Sequence, residues 1–186
     1  MIKIDEIYNQ SPYERAYINK TNLKDINESY SDVYGEVTKN GVENMLIEFK
    51  DFFNEDTVFY DLGCGLGKMV LHIGLKLNIK KSCGIELSNE RFKGALELKE
   101  KYAKENNNIE FIKKDYFKCD LSDANVVYFD NTAMYDIIHI QNIIEMVPPK
   151  TLIIFRALLN TKIIKPKTFN NFETTYGKKN VYYLIK

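Results

Sequence analysis

Net charge is the first thing this sequence lacks: Lys plus Arg and Asp plus Glu both number 26. So balanced a chain has no field to steer it onto nucleic acid or an anionic membrane, and any polyanion site must be local. It also lacks an apolar run approaching the ~18 residues that a membrane span needs. The opening Met1-Ile2-Lys3-Ile4-Asp5-Glu6 has neither the basic start nor the apolar core of a signal peptide, so a soluble, intracellular protein with no membrane partner is expected. Cysteine is scarce: Cys64, Cys83 and Cys119 stand alone without C-x-x-C spacing, which argues against a disulfide framework or a zinc site and leaves reduced thiols. His72 and His139 have no partner at ligand spacing, so no metal is expected and both read as packing or surface residues. Internal repeats and low-complexity linkers are missing too.

What remains is a chain of 186 residues, 45% of them hydrophobic, enough for one continuous core. Residues 1–32 are tyrosine-rich, mixed in charge and interrupted by Pro12, and are expected to form an N-terminal arm packing on a domain that spans 33–186. From Gly41, the residues Val42, Met45, Leu46, Phe49, Phe52 and Phe53 recur at helical steps. Thr57 to Leu62 reads as a buried strand, Lys68 to Leu77 as a helix, and Lys81 to Leu87 as a second strand. Ser88 caps a helix that the run Asn106-Asn107-Asn108 ends. Strands at Ile109 to Lys113 and Asn125 to Asp130, a helix from Tyr135 to Met146, a strand from Thr151 to Ala157 and a closing strand at Asn180 to Ile185 follow. This alternation predicts an α/β fold with a doubly wound, mostly parallel, seven-stranded-type, Rossmann-like sheet and a short N-terminal arm. Ligands of such a sheet sit at the carboxyl ends of its strands.

Asp61-x-Gly63-x-Gly65-x-Gly67 falls between a predicted strand and a predicted helix, where backbone must pass close to a nucleotide-like ligand. A dinucleotide site would have G-x-G-x-x-G, whereas here Lys68 follows a G-x-G-x-G spacing. An acid two residues before the first glycine suits a cofactor that carries an ammonium group, as the methionine end of S-adenosylmethionine does. Glu86, closing the next strand, can accept from both ribose hydroxyls, a role that dinucleotide enzymes also give an acid there. Asp115-Tyr116 places an acceptor near the adenine amino group and a ring beside the base. Of the 13 tyrosines, most read as core and interface material.

From about Tyr30 to Lys186 the chain resembles the disruptor-of-telomeric-silencing methyltransferases, which methylate a core-histone lysine without a SET domain. The residues that carry the resemblance are Val33-Tyr34-Gly35-Glu36, the glycine loop, Gly84-Ile85-Glu86, Lys114-Asp115-Tyr116, Val127-Tyr128-Phe129-Asp130-Asn131 and Tyr176 to Leu184, in the family's order and at similar spacings. The resemblance implies S-adenosylmethionine as cofactor, S-adenosylhomocysteine as product, and histone lysine methylation as the activity. It assigns to the cofactor Tyr34, Gly35 and Glu36, from the loop over its methionine part, with Asp61, Gly63, Cys64, Gly65, Gly67, Lys68, Glu86, Asp115 and Tyr116. It assigns catalysis to Asp130, Asn131 and Tyr182, and the walls of a lysine channel to Tyr128, Thr132 and Met134. The chain departs from the family at Asp130-Asn131, where two asparagines are usual, and at Thr132 and Met134, where aromatics are usual. The family's strongly basic stretches are absent, although residues 160–186 carry six lysines (162, 165, 167, 178, 179, 186) against Glu173. That weak basic surface either touches a polyanion or is simply solvated.

Methyl transfer to an amine is an in-line displacement, and lysine, with a reference pKa of ~10.4, must first lose its proton. An apolar channel beside a sulfonium cation pushes in that direction, but a carboxylate such as Asp130 favours the unreactive ammonium form. Either other donors occupy Asp130, or it acts as the acid of a D-P-P-Y motif does in enzymes that methylate nucleobase amino groups. In that alternative, methylation of a nucleobase or another amine, the fourth motif position should stack the extruded base, and here it is Ala133. A third reading is a non-catalytic S-adenosylmethionine-binding interaction module. The intact Tyr34, Glu36 and Asp61 weigh against it. The expected partner is a histone or nucleosome substrate, the expected state a monomer, and the expected location nuclear if the substrate is chromatin.

Overall fold

The computed structural model describes residues 4–10, 35–131, 137–156 and 165–186. Its centre is built from short runs of apolar residues that cannot be left exposed on either face. β1 (Val58–Leu62), β4 (Val126–Phe129) and β5 (Leu152–Phe155) are buried at every position. β2 (Lys81–Glu86) is buried from Ser82 onward, and β3 (Ile109–Lys113) is only partly covered at the sheet margin. Strands without a polar face need helices on both sides, which is the condition for a parallel sheet.

The seven strands lie in the order β3-β2-β1-β4-β5-β7-β6. β1 to β5 pair in parallel, while β7 (Gly177–Ile185) runs antiparallel between β5 and β6 (Lys167–Thr174). The chain moves outward from β1 to β3 and then returns to place β4 on the other side of β1. That reversal opens a crevice above the carboxyl ends of β1 and β4.

One core layer lies between the sheet and the helices α1 (Ile4–Tyr8), α2 (Lys39–Glu48), α3 (Lys68–Lys76) and α4 (Asn89–Tyr102). There Val42, Met45, Leu71 and Ile73 meet Phe59, Val126, Leu152 and Phe172. The opposite layer lies under α5 (Ile137–Met146), whose Ile140 and Ile143 pack with Tyr60, Ile85, Val127 and Phe155. Side chains two apart share a face, so each strand feeds both layers alternately. Thr38 caps α2 by accepting from the Gly41 amide at 3.1 Å, and Ser88 caps α4, the site expected for it. No helix among the described residues is long and apolar enough to cross a membrane.

Two sequence expectations are corrected and one is narrowed. The helical stripe from Gly41 to Phe53 is α2 followed by a separate 3-10 turn at Lys50–Phe52, a tightening that turns the chain into β1. His72, expected as a packing or surface residue, is fully buried in packing: Nδ1 lies 3.0 Å from the Tyr8 hydroxyl and Nε2 3.1 Å from Glu43, which also pairs with Lys76. This polar ladder ties α1 to α3 and α2. β6 had no counterpart in the sequence reading. Phe169 and Phe172, its core-facing anchors, are three residues apart because a bulge interrupts the register between them, and a spacing of three hides a strand from a period-two search.

Phe172 is completely buried, so Phe172→Ala is expected to cost about 3–5 kcal/mol in a denaturant melt. The exposed Asn170→Ala on the same strand should stay within about 0.5 kcal/mol.

Candidate active site

β1 delivers Asp61 to the crevice and the glycine loop leaves from it. Gly63, Gly65 and Gly67 all take left-handed φ values, of 84°, 57° and 72°. Gly67 is under a second constraint, because a Cβ there would meet the Phe111 ring at 2.3 Å. The loop is held from beneath: the Ile85 carbonyl accepts from the amides of Gly63 at 2.8 Å and Cys64 at 3.1 Å. α3 starts at Gly67 with no side chain capping it, leaving its first amides available at the crevice.

Glu86 ends β2 almost fully buried, its two carboxylate oxygens accepting from the Gly65 amide at 2.9 Å and the Ser88 amide at 2.8 Å. It thereby fixes the loop and keeps further acceptor capacity, since an ionised carboxylate has about four lone-pair sites. Asp61 is also buried, facing Glu86 on one side and Asp130 on the other. Burial foremost, and those two carboxylates next, push its carboxyl up to about 8.

Lys68 and Glu36, both expected at the cofactor, form a buried ion pair at 2.8 Å, and Lys68 also donates to the Gln10 carbonyl at 2.9 Å. The segment carrying Gly35 and Glu36 is fastened to the β6–β7 hairpin. Val37 bridges to Thr174, the Thr175 amide donates to the Glu36 carbonyl at 2.9 Å, and a side chain at position 35 would strike the Tyr176 ring. The Cys64 thiol is pushed well above its usual pKa, first by burial, and donates to the Gly65 carbonyl, so it is a neutral packing group. Asp115 caps the 3-10 turn Tyr116–Lys118, accepting from the Phe117 amide at 3.0 Å, and the Tyr116 ring lies 4.6 Å from that of Phe117.

At the ends of β4 and β5 the structure brings together Asp130, Asn131 and a residue that the sequence reading missed, Arg156. The Asn131 side-chain oxygen accepts from the Arg156 amide at 3.1 Å, and the Arg156 guanidinium lies 3.8 Å from the Asp130 carboxylate. The signal in the sequence was an arginine directly after the apolar run Leu152–Phe155. Such a residue is drawn into the core's rim and needs a carboxylate there.

The structure does not bring Tyr128 and Tyr182, expected in the channel wall and in catalysis, onto one face of the sheet. Tyr128 pairs in register with Asp61 and faces α2 and Phe172, whereas Tyr182 pairs with Phe155 and faces the α5 layer, on the other side of the sheet. Strand alternation decides this, because Tyr182 and its neighbour Tyr183 must point to opposite faces. The Tyr128 hydroxyl is buried without a hydrogen-bond partner among the described residues, and burial raises its pKa well above normal. Tyr34, Thr132 and Met134 lie outside the described residues.

Comparison with known proteins adds the following. The profile of a family described as histone methylation protein DOT1 matches residues 13–182. A protein-lysine N-methyltransferase of Saccharolobus islandicus (strain REY15A) is 33% identical over 97 residues, 52% of this chain and 55% of that protein. The chain thus spans about half the length of the curated relative it matches. The crystal structure of an RNA methyltransferase from Salinibacter ruber with S-adenosyl-L-homocysteine superposes with a TM-score of 0.62 at 26% identity, covering 79% of this chain and 90% of that one. An S-adenosylmethionine-dependent methyltransferase from Thiobacillus denitrificans, also with S-adenosyl-L-homocysteine, gives 0.57 at 18% identity over 78% of this chain and 60% of that one, a likeness of fold alone. The sheet is the Rossmann-like sheet of class I methyltransferases.

The raised carboxyl of Asp61 makes a prediction about stability. Its ordinary value is 3.8 and its value in the fold about 8, so between these the folded state holds the extra proton and this group's contribution falls as pH rises. Without ligand, Asp61→Asn is expected to melt roughly 3 °C or more above the parent at pH 8, the gap closing as pH approaches about 4. Calorimetry across that range checks it; a gap that widened toward acid would show the sign to be wrong.

Proposed function

The chain belongs to the histone methylation protein DOT1 family, and from that we propose that it transfers a methyl group from S-adenosylmethionine to the side-chain amine of a protein lysine, with a histone as acceptor. The observation that carries this reading is the buried Asp61 at the glycine loop, an acid set for a cation where the cofactor's ammonium would lie, with the amine-facing pair Asp130-Asn131 on the adjacent strand. The residues fit the cofactor along its length. Asp61 would hold the ammonium group, the amides at the start of α3 the carboxylate, Glu86 the ribose hydroxyls, and Asp115 with Tyr116 the adenine. Glu36, paired with Lys68, would cover the methionine part together with Gly35 and Tyr34. Gly63, Gly65 and Gly67 allow the backbone approach, and Cys64 packs beneath.

When bound, the cofactor would supply a methyl carbon whose bond to sulfur breaks as the bond to the neutral nitrogen forms, leaving S-adenosylhomocysteine and a methylated ammonium, the lysine having lost its proton beforehand. The protein places the neutral amine behind that carbon, with Asp130 and Asn131 as hydrogen-bond acceptors and with Thr132, Met134 and Tyr182 around the acceptor, and excludes water. Tyr128, beside Asp61 in the ladder, would line the site from the α2 face of the sheet and Tyr182 from the α5 face. Gln10, whose carbonyl accepts from Lys68, would steady the start of α3 from behind the loop.

A second reading, methylation of a nucleobase amine, draws on the Salinibacter RNA methyltransferase, of which this chain covers nine-tenths. Radiolabelled S-adenosylmethionine offered with core histones, nucleosomes, RNA and DNA in parallel separates the two. Label on a protein lysine is the expected result, and label on RNA or DNA with none on protein would replace it with the second reading. Glu86→Ala is expected to raise the S-adenosylhomocysteine dissociation constant by about tenfold or more, since both the ribose acceptor and the loop's anchor are lost. Asp130→Ala should bind the product with unchanged affinity and lose turnover; full activity would remove Asp130 from the reaction.

A further inference from the structure

Asp130 poses a problem for lysine chemistry, because a lone carboxylate beside the acceptor stabilises the ammonium form, which has no lone pair to donate. The structure holds a remedy at the end of the neighbouring strand. Phe129 and Phe155 are register partners, so Asp130 and Arg156 come next on each strand and meet just beyond the ladder. The Arg156 guanidinium is buried and lies 3.8 Å from the carboxylate, whose own side chain stands at the open rim. Its backbone amide donates to the Asn131 side chain, which ties the end of β5 to the residue beside Asp130 and sets where the arginine side chain starts. Its Nε is buried without a hydrogen-bond partner among the described residues, as is the Tyr128 hydroxyl on the same face. Two unspent donors in one buried cluster are costly unless something polar completes them when the site is filled.

We propose that Arg156 is a positioning residue for methyl transfer: it holds the Asp130 carboxylate as a neutral pair, so that the acceptor amine meets a hydrogen-bond acceptor without a net negative charge and reacts unprotonated. This rests on the lysine reading above. The ionisable groups facing Asp130 among the described residues are Arg156 from β5, Asp61 from β1 with Glu86 of β2 behind it, and Tyr128 of its own strand. Removing the guanidinium takes away the positive charge 3.8 Å from Asp130 and so strengthens the pull of its carboxylate toward the ammonium form of the amine.

The test is the pH dependence of kcat at saturating lysine acceptor and cofactor, where the rising limb reports loss of the amine proton. Arg156→Gln is expected to move that limb up by about one pH unit, lowering kcat roughly tenfold on the limb, with the S-adenosylhomocysteine dissociation constant unchanged within about twofold. Arg156→Lys, which keeps the charge, should return the limb most of the way, and Asp130→Asn placed in Arg156→Gln should cancel the shift. A uniform fall in kcat with an unmoved limb would make Arg156 merely structural and overturn the proposal. If Arg156→Gln does not fold, Asp130→Asn alone decides, since it leaves the guanidinium uncompensated and must move the limb down; a limb that stays overturns the proposal equally. Absence of any lysine methylation by the parent protein, with cofactor bound, would instead sink the lysine reading and this inference with it.

Discussion

Parallel strands deliver all their carboxyl ends to one edge of a sheet, and here β1, β2 and β4 each bring an acid to that edge: Asp61, Glu86 and Asp130. Three carboxylates converging, two of them buried and Asp130 at the open rim, is an unfavourable arrangement that the neighbouring groups offset. Glu86 is satisfied by two loop amides, Asp130 faces a guanidinium, and Asp61 holds its proton up to about pH 8. The three acids thus have three different fates. Asp61 is the one for which the proposed reading supplies a cation.

The same convergence explains the glycine loop's rigidity. Its amides are bound to β2's last turn, so the loop is shaped before any ligand arrives, and binding need not order it. The antiparallel half of the sheet extends the support sideways. The β6–β7 hairpin holds the Gly35–Thr38 segment by paired backbone bonds, bringing Glu36 within reach of Lys68 at the start of α3. Residues far apart in sequence therefore meet around one crevice.

Electrostatics also separates the acids by task. A carboxylate fit to hold an ammonium group and one fit to receive a neutral amine need opposite surroundings, the first without a cation and the second with one. Asp61 has Glu86 and Asp130 beside it, and Asp130 has the Arg156 guanidinium 3.8 Å away, the two surroundings that the proposed roles call for.

The sequence by itself determined the doubly wound class, the first five strands, the glycine loop and the acids at the strand ends, because hydrophobic period and glycine spacing are local signals. It also gave Ser88 its cap, from a cap residue followed by an acid. What only the tertiary structure decided was non-local. β6 is a strand because it pairs with β7 and carries Val37 at its end, and its bulge disguised the alternation. Lys68 became Glu36's partner and His72 a buried link because helices distant in sequence pack together. Tyr128 and Tyr182 parted to opposite faces because register, not composition, sets which way a side chain points. Arg156 gained its meaning in the same way: one residue of shared register beyond β4 and β5 sets a guanidinium against a carboxylate, and no spacing within the chain encodes that meeting.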